Sequence, residues 1–257
     1  MNRCLRLLGL SLLLVLFAAP AVAQEAVPTR VVVRAVSHDA KLVQDPVGGA
    51  RIVIRHAETG EVLAAGRQTG DSGSTAKIMK QPHERGATIY DVPGAAQYEA
   101  VLDLRRPTPV QITAEGPLDY PQAMQTASTT TLLMPGQDVT GDGITLTLHG
   151  FIVEVLSPSA ETAVSESSVE VRARVRMMCG CPTEPGGLWD ANRYTLRAQL
   201  LNDGVVVAEA PLSFAGTTSE YTGTVSVPEA GATAVRVTAS DADRGNFGMA
   251  TTSLTAN

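Results

Sequence analysis

Met177-Met178-Cys179-Gly180-Cys181 is the one stretch of this chain where soft sulfur ligands crowd together, and Trp189, the only tryptophan, follows closely. Thiolate and thioether sulfurs suit Cu(I). Residues two apart on an extended strand point the same way, so Cys179, Cys181 and Met177 share a face. Met178 joins them only if Gly180 and Pro182 bend the chain. The same two cysteines can instead close a local disulfide, because Gly180 permits the contraction such a bridge requires. A third chemistry is thiol–disulfide exchange, for which the end of a strand is a poor setting, since redox cysteines usually sit at a helix N-terminus. All three readings stand on the residues alone, and Cu(I) is the one cofactor they point to.

Other constellations are weaker. Arg172, Arg174 and Arg176 form a row that could receive an anionic ligand or acidic partner, and with Trp189 they are the candidate partner-binding residues of this region. Such a row is more often a solvated face neutralised by carboxylates on neighbouring strands. Gly70-Asp71-Ser72-Gly73-Ser74 resembles the nucleophile motif of chymotrypsin-like proteases, yet only His38 beside Asp39 offers a base, and turn chemistry accounts for these residues without one. Asp138-Val139-Thr140-Gly141-Asp142-Gly143 imitates the first half of a calcium loop, but His149 stands where the bidentate Glu belongs, so an Asp-Gly turn ahead of a strand is expected. Asp190, Asp241 and Asp243 are a second, looser calcium set, and His38, His56, His83 and His149 show no ligand spacing.

The elements that must position these residues read as strands. Val169, Val171, Ala173, Val175 and Met177 alternate with Glu170 and the three arginines, the period-two signature of a half-buried strand. Ahead of it the same pattern runs through Arg30 to Val36 (Val31, Val33 and Ala35 inward), Ala50 to His56, Glu61 to Ala65, Tyr98 to Leu104, Val110 to Ala114, Thr129 to Leu133 and Ile144 to Val155. After it come Tyr194 to Leu201, Val205 to Ala210, Tyr221 to Val227, Ala234 to Ser240 and Gly248 to Leu254, with Asn202-Asp203-Gly204 as a hairpin turn. Leu156 to Thr162 reads as a linker.

The run Gly48-Gly49-Ala50-Arg51-Ile52-Val53-Ile54-Arg55-His56-Ala57-Glu58-Thr59-Gly60-Glu61-Val62-Leu63-Ala64 resembles the opening hairpin of carboxypeptidase-regulatory-like, transthyretin-type β-sandwich modules. The ending Val237-Thr238-Ala239-Ser240-Asp241-Ala242-Asp243 with Gly245-Asn246 resembles the last hairpin of bacterial Ig-like domains. The resemblance implies an all-β chain of two tandem β-sandwiches, residues 25–156 and 163–257, and a non-catalytic binding or spacer role. The chain departs from the module by inserting residues 69–97, within which Ser74 to Lys80 can form a helical turn.

Composition narrows the function. With 26 acidic against 20 basic residues the chain lacks the cationic excess that nucleic acid demands, and 4% aromatic content leaves little for a carbohydrate groove. Arg3 and Arg6, the apolar run Leu7 to Ala19 and Ala21-Val22-Ala23 read as a cleavable export signal over residues 1–23, which places the mature chain in a periplasm or outside the cell, without a membrane span. The expected function is that of an exported, non-catalytic binding or accessory protein with a protein or envelope partner. Its expected contact regions are the 69–97 insertion and Met177 to Trp189; copper handling and thiol exchange are the alternatives.

Overall fold

A computed structural model describes residues 24–160, 167–229 and 231–255, and the expected export signal lies outside them. The described residues are nearly all β and form two pairs of sheets, each pair closing on its own apolar core. The first pair is built from β1 (Val27–Ser37), β2 (Ala50–His56), β3 (Val62–Gln68), β4 (Tyr98–Leu104), β5 (Thr108–Gly116), β6 (Gln125–Leu133) and β7 (Val139–Leu148). Its sheets run β4-β1-β7 and β3-β2-β5-β6, with β1 and β7 parallel and every other neighbour antiparallel. The second pair uses β8 (Phe151–Ser157), β9 (Ser168–Met177), β10 (Thr195–Asn202), β11 (Val205–Pro211), β12 (Ser213–Phe214), β13 (Glu220–Ser226), β14 (Ala234–Asp241) and β15 (Asn246–Ser253). Its sheets run β12-β13-β9-β8 and β11-β10-β14-β15.

Alternation dictates which faces meet. In β9, Val169, Val171, Ala173, Val175 and Met177 are buried while Arg172 is exposed and Arg174 and Arg176 lie half-buried, as the period-two pattern requires. The β10–β11 turn is built as its residues demand: Asp203 and Gly204 both have positive φ, 48° and 82°, the conformation of a tight two-residue hairpin.

Two expectations need correction. The stretch Ile144 to Val155 is not one strand. It breaks at His149-Gly150, where Gly150 takes φ 137°, and β8 then pairs with β9 in the second sheet pair. The strand expected with the first module is thus hydrogen-bonded into the second sheet pair, with Phe151 and Val153 in the second core and Ile152 in the first. The turn expected at Asp138 to Gly143 is instead a bulge inside β7, whose register against β1 jumps from Val31↔Val139 to Val33↔Ile144. Gly143 fits there because a Cβ would stand 2.3 Å from the Val32 carbonyl oxygen.

The insertion is a packed lobe. It covers the outer face of β1 at Arg34 and Val36, which are buried although read as outward positions; Val32, buried on the same face, lies against Gly143 of β7. Leu42, Ala95 and Ala96 form a small apolar cluster with Val36. Arg34 supplies the pin: its guanidinium donates to the Ala96 carbonyl at 2.9 Å, the Gln97 Oε1 at 2.8 Å, the Asp91 carboxylate at 3.1 Å and the Gly141 carbonyl at 3.2 Å. Asp142 supplies a second, accepting from the amides of Ile89, Tyr90 and Asp91 at 2.7, 2.7 and 2.9 Å. At the start of the helical turn Ala76–Lys80 in this lobe, the Ser74 hydroxyl accepts from the Lys77 amide at 3.3 Å.

Candidate functional site

The segment after β9 is where the two sheet pairs meet. Met177 points into the second core and Met178 into the first, so adjacent side chains knit two apolar interiors together. A fully buried side chain of this size stabilises by about 1.5–3 kcal/mol. The chain then reverses: the Gly180 amide donates to the Met177 carbonyl at 2.7 Å, and the Met177 amide to the Cys181 carbonyl at 3.0 Å. Cys179 and Cys181 are disulfide-bonded across this turn, with Cα atoms 5.3 Å apart, and both are buried.

This geometry does not assemble the four-sulfur Cu(I) set. The cysteine sulfurs are bonded to each other, and Met177 and Met178 diverge because consecutive side chains leave an extended backbone on opposite sides. Burial of both cysteines likewise gives the exchange reading no support. Among the described residues no cluster of three or more His, Cys, Asp or Glu could hold a metal ion. Asp190 instead accepts from the Gly186 and Asn192 amides at 2.7 and 3.0 Å, bonds that lower its pKa, and Asp241 is buried in the second half.

The disulfide turn is gripped from the first half. Gln44 donates through Nε2 to the Cys179 carbonyl at 2.9 Å, while its Oε1 accepts from the Ser72 amide at 3.2 Å. One side chain thus ties the cysteine turn to the inserted lobe. Ser72 takes part through its backbone, which gives the Gly-Asp-Ser-Gly-Ser motif a structural role. A few residues away, the buried Trp189 donates through Nε1 to the Asp39 carbonyl at 3.0 Å, and the Asp39 carboxylate forms a close ion pair with Arg244. Met79 from the inserted lobe packs against the second core. Asn246 closes the joint, accepting from the Gly150 amide at 2.9 Å.

Two members of the arginine row pair with one carboxylate on the neighbouring strand β13. Arg172 and Arg174 share Glu220, at 3.1 and 3.0 Å. Arg176 does more. It pairs with Glu154 at 2.9 Å, donates to the Tyr120 hydroxyl at 2.6 Å and lies 5.1 Å over the Tyr120 ring, bracing the joint from the first half.

A cavity of about 270 Å³ lies between the end of β1 and the inserted lobe, lined by His38, Asp39, Met79, His83, Tyr90 and Thr147 among others. The two regions expected to make contacts, the insertion and the Met177 to Trp189 segment, meet through the Gln44 bonds and through Met79, which packs against the core that holds Cys179, Cys181 and Trp189. His38, on the cavity wall, stacks on His149 with ring centroids 3.9 Å apart, a pairing that 110 intervening residues hide from the sequence. Burial, and then the charge of His149, lowers the His38 pKa below its ordinary 6.5, while Asp39 and Asp241 pull the other way. A histidine whose folded pKa is depressed adds stability that is fully present above 6.5 and is lost as pH falls through the folded value. Melting temperature is accordingly expected to drop as pH is lowered from about 7 to about 5, and His149→Gln should flatten that slope.

No helix among the described residues is long and apolar enough to cross a membrane. No protein-family model and no curated protein matches the chain. Solved structures with some likeness include an engineered protein at 21% identity, covering 49% of this chain and 24% of that one, with a TM-score of 0.29. A four-domain ICAM-5 ectodomain fragment shows 10% identity over 87% of this chain and 51% of that one, at 0.27. The titin Z1Z2 domains, solved with telethonin, show 14% identity over 91% of this chain and 98% of theirs, at 0.25. The chain thus spans about a quarter and about half of the first two, and scores this low carry no argument about what it does.

Proposed function

We propose that this chain is an exported, non-catalytic binding or accessory protein. In this reading residues 1–23 are a cleaved signal, and two β-sandwich modules are joined rigidly so that the inserted lobe and the Trp189 loop form one composite face toward a protein or envelope partner. The observation that carries it is the Gln44 clamp, which fixes the lobe and the cysteine turn to each other. A loop held by a rigid scaffold binds without the entropic cost of ordering on contact. The residues that could have done chemistry also support it, since Cys179 and Cys181 are bridged and the Gly-Asp-Ser-Gly-Ser turn is bonded to Gln44.

Site-specific photo-crosslinking in the producing cells tests this. Probes at His83 and Leu188, on the composite face, are expected to capture one common partner, whereas probes at Val205 and Val206, exposed at the β10–β11 hairpin, are not. Equal capture from both faces, or a mature chain that retains residues before Gln24, would contradict the proposal.

A further inference from the structure

Strand β6 differs from the other sheet edges. It is nine residues long, Gln-Thr-Ala-Ser-Thr-Thr-Thr-Leu-Leu, with no charged residue, proline or glycine, and it pairs with β5 from Thr108↔Leu133 to Gly116↔Gln125 without a bulge. Its other side has no backbone partner among the described residues. Even Ala127, Thr129 and Thr131, on the core-facing side, are only half-buried, so this flank stands open. Exposed edges are normally blunted by charge, proline, shortness or cover. The chain does so elsewhere. Arg67 sits in β3, Glu99 and Asp103 in β4, and Asp142 with a bulge in β7. Glu209 and Pro211 sit in β11, and β12 has two residues. Uncharged β15 lies against β8, where a Cβ on Gly248 would be 2.6 Å from the Phe151 carbonyl oxygen.

We infer that β6 is a dimerisation edge that pairs antiparallel with β6 of a second copy, about a twofold axis at Thr129. That register sets Thr129 against Thr129, Ser128 against Thr130, Ala127 against Thr131 and Thr126 against Leu132. It joins hydroxyl-bearing, β-branched side chains and places no like charges opposite one another. A second copy is the occupant favoured because the two ends of the strand are complementary. At one end Leu132 and Met134 are exposed; at the other, Gln125 borders a groove of about 370 Å³ lined by Phe151 and by Phe247 and Met249, each 57% exposed. Antiparallel pairing brings the apolar end of each copy beside the groove of the other, twice over. The two four-stranded sheets become one of eight strands.

The test is sedimentation velocity of the mature chain over a wide concentration range, with two charge designs at the exposed positions 128 and 130. Ser128→Lys with Thr130→Lys sets lysine against lysine across the axis, and the dissociation constant is expected to rise about tenfold or more. Ser128→Lys with Thr130→Glu sets opposite charges face to face and should restore dimerisation. Unfolding curves of both, matched to the parent, show that the fold is intact. A chain that stays monomeric at every concentration overturns the inference and leaves the edge to a strand of another protein. It is equally overturned by a dimer indifferent to the paired lysines, or by a lysine–glutamate design as weak as the lysine pair.

Discussion

Replacing Arg34 with alanine is expected to free the inserted lobe and destabilise the chain by about 3 kcal/mol or more, the largest loss from any single truncation outside the two cores. The side chain is 1% exposed, and its removal orphans the Ala96 and Gly141 carbonyls and the Gln97 amide oxygen while leaving a void beneath the lobe. Burial lowers the Arg34 pKa, with Asp91 and Asp142 opposing, so the site holds a desolvated cation that repays its cost through directed donors. Arg34→Lys keeps the charge but cannot reproduce the planar fork, and its effect should fall between alanine and the parent. Hydrogen exchange locates the loss. Amides 89–97 are expected to lose protection in Arg34→Ala while β9 and β14 keep theirs. Unchanged protection over 89–97 would mean that the lobe is held by other contacts.

Gly180→Ala acts on the joint itself. Gly180 has φ 79°, and an added Cβ would meet the Val47 Cγ1 at 2.7 Å, across the boundary between the halves. Gly204→Ala is the matched control, because its φ of 82° is nearly the same and nothing lies within 4 Å of the added atom. The control should cost about 1 kcal/mol, from the left-handed backbone alone. Gly180→Ala adds overpacking and should reach about 3 kcal/mol. Chemical denaturation measures both; equal losses would show that Val47 gives way freely and that the contact contributes nothing to the joint.

The strands were legible because alternation is a local property. Val169 to Met177 lie inward and the arginines outward, and the 202–204 turn has the backbone its Asp-Gly demands. What the sequence hid depends on contacts distant along the chain. Arg34 reads as an outward residue until a lobe some sixty positions later covers it. Asp142 looks like a metal ligand until three amides of that lobe occupy it. Met177 and Met178 look like a pair of ligands, yet they serve different cores, which could be read only by knowing that two interiors flank one strand end. Gln44 gave no signal at all, since a lone glutamine becomes a clamp only through what two separate loops bring to it.

Residual dipolar couplings from amides in both sheet pairs test the rigid joint most directly. If Met178, Gln44 and Trp189 lock the halves as described, couplings from β2, β5, β10 and β14 will fit a single alignment tensor, and Gly180→Ala will split it into two. Two different tensors in the unmodified chain would mean that the halves reorient freely, and the composite face would have no fixed shape to offer a partner.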